Sequence, residues 1–255
     1  MGPKSITSKS EMRDQLSEYL QCAHSAKRHL GSTLGVLYDL WRKARKEKRD
    51  VWDELTKLKH PGSGNKVNGT AIKSAFRKYI SSHQQGRCCY CRQWLVSSGG
   101  ARPIEHILPK AEYPQFSLDF WNLAVACADC NLAKLKDVWG SVRRDSFLYP
   151  GPVVFQDMFH PRFHAYNDHI RYVFVETNTG GIALYEGLTP QGKHLCLNLL
   201  KKIATKRALV EHNPELKKSM SNIVSYQARV EGIGSSRLAE FTEMLDDSLV
   251  NLLDR

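Results

Sequence analysis

Leu16 and Leu20 stand four residues apart, with His24 continuing the row, and Leu34, Leu37, Tyr38 and Trp41 form a second apolar stripe. Three-and-four spacing marks one face of a helix, so residues 10–50 read as helical. Gly31-Ser32 is the expected break between two helices, with Ser32 as a cap. "HPGSGNKVNG", residues 60–69, reads as a loop. Ile72, Phe76, Tyr79 and Ile80 then share one face of a third helix. Between 86 and 137 this spacing gives way to cysteine pairs, short apolar runs and turn residues. Beyond Trp139, "VVFQ" (153–156) and "IRYVFVETNTGGIALYEG" (170–187) read as strands, the latter turning at Gly180-Gly181. From Thr189 to about Ser225, Leu195, Leu197, Leu199, Leu200, Ile203 and Leu209 predict a long helix that Pro214 breaks. "SRLAEFTEMLDDSLVNLLDR" (236–255) reads as a closing helix. The expected class is α+β in three parts: a helical region over 1–85, a cysteine-bearing module over 86–150, and a strand-plus-helix region over 151–255.

Charge changes this picture only at one end. Residues 1–87 hold 18 Lys and Arg against 8 Asp and Glu, whereas residues 88–150 hold 7 against 6 and residues 151–255 hold 12 of each. The net +11 is therefore almost wholly N-terminal. Its densest run is "WRKARKEKR", residues 41–49, where Arg42, Lys43, Arg45 and Lys46 can follow a phosphate backbone and release counterions. A solvated helical face is the competing reading. No run of about 18 apolar residues is present, so no membrane span is expected. The start of the chain lacks an apolar leader, and a cytoplasmic location is the expectation.

Seven cysteines is an odd number, which speaks against a pure disulfide framework. Cys88-x-x-Cys91 and Cys127-x-x-Cys130 each have the spacing of a knuckle that brings two thiolates to one ion. Two knuckles complete a tetrahedral zinc site with no open position, so the zinc is structural. Cys89 is a neighbour of the first pair rather than a ligand.

Between the knuckles lies "PIEHILPK", with Glu105-His106. Asn122 follows in "FWNLAVAC", and Asn131 directly follows the last cysteine in "CADCNLAK". The order C-x-x-C, E-H, W-N-L, C-x-x-C-N-x-x-K resembles the HNH, or ββα-metal, endonucleases with a four-cysteine zinc site. The resemblance covers roughly residues 86–137. It implies that His106 ends the first strand and activates water, and that Asn122 orients the histidine. It implies too that Glu105 and Asn131 hold a catalytic Mg²⁺ or Mn²⁺. Lys134, one turn beyond Asn131, is a possible phosphate contact, or a surface lysine.

These residue types suit phosphodiester hydrolysis. An imidazole with an ordinary pKa of about 6.5 accepts a proton near neutrality, and carboxylate and amide oxygens suit a hard divalent ion. The expectation is thus an endonuclease acting on nucleic acid, DNA rather than RNA. The alternative is a non-catalytic zinc-dependent nucleic-acid-binding or assembly subunit. Downstream, Asp157, Phe159, Pro161, His169 and Ile170, then Thr189, Gly192, Lys193, Leu195, Leu197 and Asn198, resemble more loosely the stand-alone HNH subunits of bacterial antiphage systems of the Septu and retron-associated type. That likeness implies a defence role and an ATPase partner. His160, His164 and His169 are spaced four and five apart across Pro161, which does not sustain one helical face. They read as structural or substrate-side residues.

Overall fold

The computed structural model describes residues 5–22, 30–60, 67–95, 102–177 and 180–215, with 218, 219, 222 and 244. His24, most of the loop at 61–66 and nearly all of the expected closing helix lie outside the described residues. Helix α1 spans Lys9–Cys22 and α2 spans Leu30–Glu47. Ser8 and Glu11 form a capping box at the start of α1: the Glu11 N–H donates to Ser8 Oγ (3.2 Å) and the Ser8 N–H to Glu11 Oε2 (2.9 Å). Gly31 and Ser32 do not break the chain; they lie in the first turn of α2. The α2 stripe is also less buried than its spacing suggests. Leu34, Leu37 and Trp41 face a cavity of about 670 Å³ between α1, α2 and the fourth helix, and Tyr38 is exposed. Among the described side chains of α2, the buried ones are Thr33, Ala44 and Arg45.

Helix α3 (Trp52–Lys57) is short, and α4 spans Gly69–His83. Asn68 caps α4, its Oδ1 accepting from the Ala71 N–H at 2.8 Å. Gly69 is needed here because a Cβ would sit 1.7 Å from the Leu55 carbonyl oxygen. Ile72, Phe76, Tyr79 and Ile80 are all buried, as their spacing predicts.

Strand β1 (Ile104–His106) pairs antiparallel with β2 (Leu123–Val125), and α5 (Ala128–Lys134) follows at once. A four-residue helix α6 (Tyr166–His169) leads into the hairpin of β3 (Ile170–Thr177) and β4 (Gly180–Gly187). Gly180 and Gly181 therefore open β4 rather than form the turn. Residues 153–156 are not a strand: a 3₁₀ turn spans Pro152–Val154 and leaves both valines exposed, because proline presets a helical φ at its first position. Thr189 caps α7 (Pro190–Leu195), a π turn spans Cys196–Leu200, and α8 (Lys201–His212) continues the same rod, ending before Pro214.

One hydrophobic core gathers Tyr19, Phe76, Ile80, the cysteine pairs, Phe120, Trp121, Phe163 and Leu199. The mixed α and β content agrees with the class expected from the sequence. Among the described residues no helix is long and apolar enough to cross a membrane.

Candidate functional site

The first cysteine pair sits on a tight turn. The Cys88 N–H donates to the Gln93 carbonyl (2.8 Å) and the Leu95 N–H to the Gly86 carbonyl (2.8 Å), closing a small loop. Arg92 adopts φ 59° at its bend. The second pair opens α5, with Cys127 as N-cap and Cys130 in the first turn. Gln84 joins this loop to the strands: its Oε1 accepts from the Val125 N–H (3.0 Å) and its Nε2 donates to the Val125 carbonyl (2.7 Å).

The sulfurs of Cys88, Cys91, Cys127 and Cys130 all lie within 4.8 Å of one another and are buried. Cys91 and Cys127 Sγ are 3.7 Å apart. A disulfide needs about 2.05 Å, whereas a tetrahedron with zinc–sulfur bonds of about 2.3 Å has an edge of about 3.8 Å. Backbone N–H groups of Cys127 and Cys130 point at Cys88 and Cys127 sulfurs (3.2 and 3.5 Å). Although burial alone would raise it, hydrogen bonds from the neighbouring thiols hold the Cys88 thiol well below its ordinary range. Burial and the same thiols push Cys130 up. Four thiolates this close would need a cation among them. The quartet fits zinc, and Cys89 is not part of it. Outer elements fix the cluster in place: Tyr185 Oη of β4 donates to the Cys91 carbonyl (2.9 Å), and Lys206 of α8 pairs with Asp129 (3.0 Å).

Strand alternation sends Glu105 and His106 to opposite faces. Glu105 turns inward. Its Oε1 meets Lys134 Nζ at 2.9 Å and accepts from Tyr90 Oη at 3.2 Å. Burial raises the Glu105 carboxyl and Lys134 opposes that rise. Lys134 is itself 0% exposed; it also donates to the His106 carbonyl (3.1 Å) and lies 5.2 Å from the centre of the Trp139 ring. Lys134 is therefore not a surface lysine, and its ammonium is turned to Glu105 and the His106 carbonyl. A lone buried carboxylate beside the strand requires a counter-charge, and the helix register delivers this one.

His106 turns the other way and is half-buried. Its Nε2 lies 2.9 Å from the Ser117 carbonyl. A carbonyl only accepts, so Nε2 carries the proton and Nδ1 keeps its lone pair. The Trp52 ring packs edge-on against the imidazole at 4.7 Å. Burial pushes the His106 pKa down to about 4, and the Ser117 carbonyl recovers only part of the shift. The ring is thus neutral and able to accept a proton throughout the physiological range.

Asn122 is fully buried between the two segments that define this ring's position. Its Oδ1 accepts from the Leu108 N–H (2.7 Å), and its Nδ2 donates to the Leu108 and Phe116 carbonyls (both 3.0 Å). Leu108 lies two residues after His106, and Phe116 precedes the Ser117 acceptor. Asn122 touches the loops that hold His106, not the ring. Asn131 sits half-buried in the middle of α5, and its side chain makes no hydrogen bond to the described residues.

The basic run divides. Arg42 and Lys46 are exposed, and Lys43 is bound to Glu54 at 2.8 Å. Arg45 does not face solvent. It pairs with buried Asp119, donates to the Phe147 carbonyl (3.0 Å) and stacks over Trp41 at 4.2 Å. Its place in the helical period turns it inward, where Asp119 needs a partner. The three histidines downstream form no metal cluster among the described residues. His160 is buried and stacks on Phe163 at 4.0 Å, and His164 lies 4.7 Å from His169. Spacing along the chain gave no sign of Ser117, whose role lies in a backbone carbonyl that any residue type could supply. Compared with protein-family models, curated proteins and solved structures, the chain matches none.

Proposed function

We propose that this chain is a metal-dependent endonuclease of the HNH type, with His106 as its general base. The observation that carries this reading is the His106 ring. One nitrogen is committed to a backbone carbonyl, the other retains its lone pair, and buried Asn122 braces both flanking loops. The ring ends a strand that is followed by a second strand and a helix, and a four-sulfur cluster suited to zinc joins the loop before that strand to the start of the helix.

In the reaction, Nδ1 of His106 takes a proton from water as its oxygen bonds to the phosphorus. The bond to the leaving oxygen breaks, and that oxygen takes a proton from solvent. A bound Mg²⁺ or Mn²⁺ would supply charge relief at the phosphate and leaving oxygen. Glu105 and Asn131 are the side chains that would hold it, and Glu105, buried on the face away from His106, could do so only if the Lys134 ammonium gave way and the carboxylate turned to the His106 side. Zinc serves the fold alone. The same Lys134–Glu105 pair is what favours the second reading, a zinc-dependent binding or assembly subunit without catalysis. Action within an antiphage complex beside an ATPase is the further part of the proposal, supported only by the likeness of the downstream elements. Incubating the pure protein with plasmid DNA and with total RNA, in Mg²⁺, Mn²⁺ or EDTA, tests the function. Cutting that EDTA abolishes supports it. No cutting in any condition, with or without an ATPase encoded beside it, leaves the binding subunit as the better reading.

A further inference from the structure

A buried chain of hydrogen bonds runs from the downstream region into the histidine site. The His160 Nδ1 accepts from the Arg162 N–H at 3.3 Å, so its proton resides on Nε2. Nε2 lies 2.9 Å from Tyr149 Oη and donates to it. The Tyr149 hydroxyl is thereby left to donate to Asn122 Oδ1 at 3.3 Å. Every member points the same way: His160, Tyr149, Asn122. His160, Tyr149 and Asn122 are all buried. Arg162 anchors the origin by donating to the Phe120 and Leu123 carbonyls (3.0 and 2.9 Å), on either side of Asn122.

The direction matters because an amide side chain can flip. With two donors, Leu108 N–H and Tyr149 O–H, converging on Oδ1, the Asn122 Nδ2 must face the Leu108 and Phe116 carbonyls. Flipping it would set donor against donor and acceptor against acceptor. The amide then fixes the spacing between the loop after His106 and the segment bearing Ser117.

We propose that Tyr149 and His160 are positioning residues for His106, acting through Asn122 to hold the Ser117 carbonyl against Nε2. In catalytic terms this rests on the nuclease reading; in structural terms it stands without it. The roles of Tyr149 and His160 are thus joined to the module rather than to the downstream hairpin.

Tyr149→Phe removes one hydroxyl and keeps the ring that packs on Phe116 and Phe155. Two readouts are taken on the full chain. One is nitrogen-15 NMR of the His106 ring, assigned with His106→Ala. The other is kcat and KM for nucleic-acid cleavage. The expected wild-type ring is the Nε2–H form. In Tyr149→Phe that signature broadens or moves toward mixed tautomers, kcat falls about tenfold and KM stays within about twofold. His160→Gln shifts the ring in the same direction by a smaller amount, because glutamine can still donate to Tyr149. An unchanged ring signature in Tyr149→Phe overturns the proposal, whatever happens to the rate. If no variant cuts any polymer, the nuclease reading fails by itself and the ring spectra still decide the positioning claim.

Discussion

On the proposed nuclease reading His106 is a general base, and burial keeps its ring neutral. With its pKa pushed down to about 4, the acid limb of kcat/KM against pH is expected near that value, not near the ordinary 6.5. A limb at 6.5 in a pH–rate series would show that another group titrates. Lys134 allows a second residue-level test. Removing one partner of a buried ion pair leaves the other charge stranded, at a cost of about 3–5 kcal/mol. Lys134→Met is expected to destabilise by that order in denaturant titration, and adding Glu105→Gln should restore most of it. Equal effects of the single and double variants would mean the pair is not coupled. Glu105, His106 and Asn122 were legible in the sequence as residue types in a spaced order. That Glu105 faces a lysine and His106 a carbonyl was not, since both depend on strand alternation against elements 10 to 30 residues away.

At the scale of elements, two cysteine knuckles join an 84–95 loop to α5, and the sulfur spacing suits zinc. The module has short strands and a short helix, so an ion bound there would contribute folding energy directly. Wild-type protein should carry about one zinc per chain by elemental analysis. Cys127→Ser should lose it and unfold the 84–134 region, seen as new protease cuts there; a zinc-free variant with wild-type protection would contradict this. Helix α2 divides its basic residues by face. Arg42→Ala with Lys46→Ala should lower the slope of log affinity against log salt by about 2 for duplex binding, leaving the melting temperature in place. Arg45→Ala should instead lower the melting temperature, because it strands buried Asp119. The charge run was visible in the sequence, but its division was not: a run records composition, while the partner that turned Arg45 inward lies 74 residues away. The same holds for Gly31-Ser32. Their composition suggests a break, yet both lie exposed in the first turn of α2.

Across the whole molecule, one core ties residues from Tyr19 to Ile203 together, and His160 is buried and His164 half-buried, both with lowered pKa. His160 is held well below its ordinary range by burial, with His164 and Arg162 adding to the effect, and burial brings His164 down to about 4. An unfolded chain takes up protons on these rings below about 6.5, whereas in the folded chain His164 resists until about 4 and burial holds His160 well below its ordinary range. The stability they contribute is therefore complete above pH 6.5 and lost as the pH falls toward 4. The melting temperature at pH 5 is expected to lie about 5 °C or more below that at pH 7, and His164→Gln should reduce the difference. A flat profile would mean the rings are solvated.

The central claim is that His106 performs the chemistry. Cleavage by wild type and by His106→Ala, matched for zinc content, in the same Mg²⁺ or Mn²⁺ buffer and with the same polymer, tests it most directly. Metal-dependent cutting by the wild type, reduced by about 10²-fold or more in the variant, is the predicted result. Equal cutting by both proteins, each retaining its zinc, would contradict it.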